Sequence, residues 1–143
     1  MTHDQCNRPI LLVEDNPMDL DLARRAFARC NPSNPIEVAR DGQEVLDWIP
    51  RWEAGEPLPL LILLDLKLPR VDGLEVLRRL RAHPISQALP VVVLTSSSDE
   101  GDIATAYRLH ANSYIIKPVN FEAFMEVAAR IEQYWRLINH PPR

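Results

Sequence analysis

Glu14-Asp15, Asp65, Thr95 and Lys117 lie far apart in the chain, yet each stands at the end of a short apolar run. Runs of that kind read as strands buried on both faces of a sheet. Brought to one sheet end, three carboxylates repel one another and raise their own pKa values unless a cation joins them. Mg2+ suits such a group, because it takes oxygen ligands, keeps several waters and favours sites shared with phosphates. Lys117 adds a mobile positive charge for phosphoryl oxygens, and Thr95 adds a hydroxyl donor. A carboxylate beside a divalent ion can attack phosphorus and form an acyl phosphate. The chemistry this set can perform is phosphoryl transfer to Asp65, with Mg2+ spreading the developing charge. Asp15 alone would read as a helix cap or a solvated charge. The recurrence at four strand ends gives the set its meaning.

The elements that must position these residues are legible. Five runs read as strands: Ile10–Val13, Ile36–Ala39, Leu60–Leu64, Pro90–Leu94 and Ser113–Ile116. The second and fifth are the least apolar and suit outer positions. Helix-period segments separate them, each with a start signal. Asn16-Pro17 offers an N-cap with proline at the first helical position, then Leu20, Ala23, Phe27 and Cys30 on one face. Asp41-Gly42-Gln43-Glu44 and Asp72-Gly73-Leu74-Glu75 are capping boxes. Ser98 or Asp99 opens the fourth helix, and Asn120 caps the fifth. Arg51–Pro59 reads as a long loop into the third strand. The alternation predicts an α/β fold, a doubly wound parallel sheet with right-handed crossovers. Ligands of such folds sit past the carboxyl ends of the strands.

Composition sets the outer limits. The chain has 143 residues, 46% hydrophobic and 25% charged, with a net charge of -4. That balance fits one soluble domain and disfavours a general nucleic-acid surface. The 13 prolines are more than composition alone explains, and most stand at helix starts, strand entries or loop corners. The two cysteines, Cys6 and Cys30, have no framework spacing and read as reduced thiols. No secretory signal is visible, and no apolar stretch approaches the ~20 residues of a membrane span. The expectation is a cytoplasmic protein.

The motifs Leu12-Val13-Glu14-Asp15-Asn16, Leu63-Leu64-Asp65-Leu66-Lys67-Leu68-Pro69-Arg70-Val71-Asp72-Gly73, Val93-Leu94-Thr95-Ser96 and Ser113-Tyr114-Ile115-Ile116-Lys117-Pro118 resemble those of the receiver domain of two-component response regulators. The resemblance runs over residues 10–138, with 1–9 as an N-terminal arm and 139–143 as a tail. It implies the CheY-like, flavodoxin-like (βα)5 fold with strand order 2-1-3-4-5. It implies that Asp65 accepts a phosphoryl group from a phosphohistidine of a sensor histidine kinase. Asp15, Asp65 and the backbone carbonyl of Lys67 would bind Mg2+, with Glu14 acting through a bound water. Thr95 and Lys117 would contact the phosphoryl oxygens. Tyr114 matches the switch aromatic that turns inward when Thr95 moves. Lys117-Pro118 matches a position where such families carry a cis peptide bond. Lys67 and Ser97 occupy positions that tune dephosphorylation in the family, and Glu14 replaces a frequent Asp.

A narrower resemblance is to the small regulators that partner bacterial phytochromes, carried by the Trp52–Pro59 loop, Asn112–Pro118 and Tyr134-Trp135. With little length outside the receiver pattern, output is expected through protein contacts or onward phosphotransfer. A homodimer through the fourth helix, fifth strand and fifth helix is expected as well. The chain would be no enzyme beyond its own phosphorylation and autodephosphorylation. Trp48 and Trp52 read as one covered helix face, and Arg78, Arg79 and Arg81 as a solvated one. Arg24, Arg25 and Arg29 read likewise as a solvated face of the first helix, although the resemblance implies that this helix meets the kinase. His3, His83, His110 and His140 lack metal-ligand spacing. A haloacid-dehalogenase-type phosphatase would need an acid where Lys67 stands. A flavodoxin-like cofactor binder would need Ser, Thr or Gly where Glu14-Asp15-Asn16-Pro17 stands. A receiver that binds partners without phosphorylation remains the third alternative.

Overall fold

A computed structural model describes residues 8–30 and 34–133. Five strands alternate with five helices: β1 (Ile10–Val13), α1 (Pro17–Cys30), β2 (Ile36–Ala39), α2 (Gly42–Glu53), β3 (Leu61–Leu64), α3 (Gly73–Ala82), β4 (Val91–Thr95), α4 (Glu100–Arg108), β5 (Ser113–Ile116) and α5 (Phe121–Gln133). The sheet is parallel throughout, in the order β2-β1-β3-β4-β5. Its two weakest apolar runs are its edges. The expected α/β architecture and strand order are therefore present.

Side chains alternate across the sheet with period two. Leu11, Val13, Ile62, Leu64, Val91 and Val93 pack on one face with Val45, Ile49, Val76, Leu77, Leu80 and Ala106 of α2, α3 and α4. Ile10, Leu12, Leu61, Leu63, Val92 and Leu94 pack on the other with Phe27 of α1 and Phe124 of α5. Burial on both faces explains why the central strands are continuously apolar.

The caps fall where the start signals lie. Asn16 Oδ1 accepts from the amides of Met18 and Asp19, both at 3.0 Å. Asp41, Asp72 and Asp99 each accept from the amide three residues on. Asn120 Oδ1 accepts from the Ala123 amide at 2.8 Å. Of the two candidates for the fourth helix, Asp99 is the cap. Gly73 has no room for a side chain, since a Cβ there would meet the Asp65 carbonyl oxygen at 2.4 Å.

Three expectations are corrected. α2 runs through Pro50 and Arg51 to Glu53, so the loop begins three residues later than expected. Burial of Trp52, 3% exposed and stacked on Trp48 at 6.2 Å, draws that last turn into the helix. Arg81 is not part of a solvated face. Arg78 and Arg79 pair with Glu75 on the surface, whereas Arg81 donates to the carbonyls of Leu109, Gln87, Leu89 and His110. Its planar fork suits several carbonyls at once. Lys117–Pro118 is trans, for no cis peptide bond occurs among the described residues. Trans is also the intrinsically favoured isomer of an X–Pro bond.

At the amino-terminal boundary, Arg8 donates to the carbonyls of Leu58 and Pro59, and Pro9 accepts from the Leu60 amide. These bonds continue the β1–β3 edge. Cys6, His3, Tyr134, Trp135 and His140 lie outside the described residues. No described helix is long and apolar enough to cross a membrane.

Candidate functional site

The sheet's hydrogen bonding continues past the strands and fixes the backbone of the site. The Glu14 amide donates to Ala39, the Asp65 amide to Val13 and the Lys117 amide to Thr95, at 3.0, 3.1 and 2.8 Å. Glu14, Asp65 and Lys117 are thus placed by three neighbouring ladders rather than by mobile loops. Thr95, wholly buried, ends β4. Gly73 lets α3 start directly against Asp65, with its amide on the Leu66 carbonyl at 2.9 Å.

Carboxylate oxygens of Glu14, Asp15 and Asp65 lie within 4.8 Å of one another. Glu14 and Asp65 are buried and Asp15 is exposed. The spread is close to the ~4 Å between opposite ligands of one Mg2+, and an all-oxygen, partly hydrated donor set is what that ion prefers. The three residues therefore fit a divalent cation. Lys67 is placed beside them, its amide donating to Asp65 Oδ1 at 3.2 Å.

Lys117 reaches into the same cluster from the end of β5. Its Nζ lies 2.6 Å from Glu14 Oε1, 2.8 Å from Asp19 Oδ2 and 2.9 Å from Asp65 Oδ2. Burial would push the ammonium's pKa down, but its bonds to Asp19, Glu14 and Asp65 outweigh that and hold it above the ordinary lysine value. Burial raises the Glu14 carboxyl to about 7, against the opposing bonds from Lys117 and the Asn16 amide, with the nearby Asp65 charge adding to the rise. The cluster is crowded with negative charge.

Asp19 was not among the residues whose spacing marked the site. It stands in the first turn of α1, where an acid ordinarily offsets the helix dipole, so its type and position carry no distinguishing signal. Only the approach of β5 to α1 reveals its partner.

On the other side of the site, the Thr95 hydroxyl oxygen accepts from the Ser97 amide at 3.4 Å. Tyr114 is half-buried against the α2–α3–α4 core, and its hydroxyl donates to the Ser97 carbonyl at 2.8 Å. Ser97 Oγ in turn donates to Asp102 Oδ2 at 2.7 Å. The loop between β4 and α4 is therefore tied to β5 through one phenol and to α4 through one hydroxyl.

Residues 10–129 match the family described as Response regulator receiver domain. The chain belongs to that family. Among its relatives, the receiver is 45% identical to the probable methanogenesis regulatory protein FilR2 of Methanothrix harundinacea, over 93% of this chain and 86% of the relative. The phosphorylated cyanobacterial phytochrome response regulator RcpA superimposes with a TM-score of 0.87 at 37% identity, covering 96% of this chain and 99% of that one. The Mn2+-bound form of the response regulator Rcp1 gives a TM-score of 0.83 at 34% identity, covering 95% and 99%. The name Rcp1 is also that of a relative from Synechocystis sp., 37% identical over 92% of both chains. This receiver carries an acidic pocket of Glu14, Asp15 and Asp65 that can take a divalent metal, and its family implies a histidine kinase partner.

Proposed function

We propose that this receiver is a phosphorylation switch with Asp65 as the phosphoacceptor. The carrying observation is the environment of Asp65: one carboxylate oxygen takes the Lys117 ammonium while the group lies among Glu14 and Asp15. A carboxylate oxygen of Asp65 attacks the phosphorus of a kinase phosphohistidine. The N–P bond breaks, its electron pair stays on the imidazole nitrogen, and that nitrogen takes a proton from water. Asp15, Asp65 and the Lys67 carbonyl, with Glu14 through a water, would hold Mg2+. The bound ion would offset negative charge on the transferring phosphoryl oxygens.

Lys117 turns its ammonium to the phosphoryl group once Asp65 is phosphorylated. Thr95 offers its hydroxyl to the same group by leaving the Ser97 amide. That movement releases or tightens the Ser97 carbonyl held by Tyr114, and so reaches the α4–β5–α5 surface. A phosphoryl group shifts such an equilibrium only by favouring one arrangement over the other. Tyr107 and Ile116 are about half exposed on that surface, which suits a downstream protein, a phosphotransfer partner or a second copy of the chain.

The likeness to RcpA supports a phytochrome-type kinase as donor. The 45% identity to FilR2, a probable methanogenesis regulatory protein, keeps a second reading, a sensor kinase with another input. Phosphotransfer profiling against both kinase types separates them. The switch itself is tested by acetyl-phosphate labelling of wild type and Asp65→Asn with and without Mg2+. Label that needs Asp65 and Mg2+ is expected; undiminished label in the variant overturns the proposal.

A further inference from the structure

The Lys117 ammonium has three N–H donors, and the structure places three carboxylates around it. Two of these, Glu14 and Asp65, belong to the pocket already described. Asp19 does not. It comes from α1, 98 residues away in sequence, and its side chain is 30% exposed at the pocket rim.

Helix capping does not account for that contact. In a capping box the acid at the third helical position reaches back to the N-cap amide. Here the N-cap amide, that of Asn16, already donates to Glu14 Oε2 at 3.0 Å. The Asp19 amide is satisfied separately by Asn16 Oδ1. The Asp19 carboxylate turns instead to Lys117.

Given the phosphorylation of Asp65 proposed above, on which this inference rests, that contact has a consequence. Phosphorylation converts one carboxylate, of charge about −1, into an acyl phosphate of nearly −2. The new oxygens need the ammonium that Asp19 holds, and they add negative charge near the Asp19 carboxylate. We propose that Asp19 is a positioning residue that restrains Lys117 in the unphosphorylated site, so that the phosphoryl group must win the ammonium from it. Asp19 stabilises the unphosphorylated arrangement and sets a threshold for switching. It does so from outside the set of pocket carboxylates, so it can vary without altering the nucleophile.

The test uses the full chain and beryllofluoride as the phosphoryl mimic, in saturating Mg2+. Its affinity is read from the amide resonances of Thr95 and Ser97 for wild type, Asp19→Asn and Asp19→Glu. Asp19→Asn keeps the shape and removes the charge; a charge-assisted hydrogen bond, discounted for partial exposure, makes the expected gain in affinity about 5- to 20-fold. Loss of acyl phosphate after acetyl-phosphate labelling is expected to slow in the same variant. Asp19→Glu, which restores the charge, is expected to return both readouts toward wild type. A merely structural role would lower the unfolding midpoint of Asp19→Asn without tightening the mimic. Unchanged or weaker binding by Asp19→Asn overturns the restraint while leaving the receiver reading intact. Wild type that binds no beryllofluoride, or binds it equally in Asp65→Asn, overturns both. If Asp19→Asn folds poorly, Asp19→Ser serves as the second uncharged variant and must show the same tightening.

Discussion

Replacing Lys117 by Met removes the one ammonium that contacts Glu14, Asp19 and Asp65 among the described residues. The lysine side chain is 9% exposed, and those of Glu14 and Asp65 are 5% and 4%. Removing one partner from buried charges costs about 3–5 kcal/mol, because the others are left uncompensated. Protonation limits the loss. Glu14 already has a folded value of about 7, above its ordinary 4.5. A raised carboxyl contributes its stabilisation below the unfolded value, and that contribution is lost as pH rises through the folded one. Metal-free wild type should therefore weaken between about pH 4.5 and somewhat above 7. Lys117→Met removes a bond that lowers the Glu14 value, so its window extends to higher pH and its loss is greatest near pH 8. Urea unfolding at pH 5 and pH 8 measures this. Mg2+ should restore much of the pH 8 loss, with a gain that grows with the logarithm of its concentration. A pH 8 loss under about 1 kcal/mol, or one equal at both pH values, would refute the reasoning about uncompensated buried charge.

Other changes test other parts of the account. Glu14→Gln should stabilise the metal-free protein at pH 8 and flatten its pH dependence, while weakening Mg2+ binding measured by calorimetry. Gly73→Ala should cost about 1–3 kcal/mol or more in urea unfolding, because the new methyl must displace the backbone at Asp65 and Leu66, and it should also slow acetyl-phosphate labelling. Arg81→Lys should lose roughly 2 kcal/mol, since one ammonium cannot reproduce a fork serving four carbonyls; thermal unfolding reads it, and labelling should be unchanged.

Much of this was written locally in the chain. The central strands announce themselves because both faces are buried, and the aspartate caps because a short acid before a helix has few better uses. Asp65 was legible because an acid ending a run such as Leu61–Leu64 has no solvent-facing reason to be there. What escaped was decided by distant packing. Arg81 shares its helix and spacing with Arg78 and Arg79, and only the loops carrying Gln87 and His110 turn it inward. Asp19 looks like any first-turn acid until β5 delivers Lys117 to it. The last turn of α2 survives an internal proline because Trp52 is buried beneath it, a tertiary gain that outweighs a local penalty.

The central claim is that Asp65 carries the phosphoryl group. The most direct measurement reduces the phosphorylated chain with borohydride, which converts an aspartyl phosphate to homoserine, and locates the change by peptide mass mapping. Homoserine is expected at position 65 alone, formed only when Mg2+ is present during labelling. A phosphoryl group mapped to Ser97, to a histidine, or to Asp15 with Asp65 unmodified would contradict it.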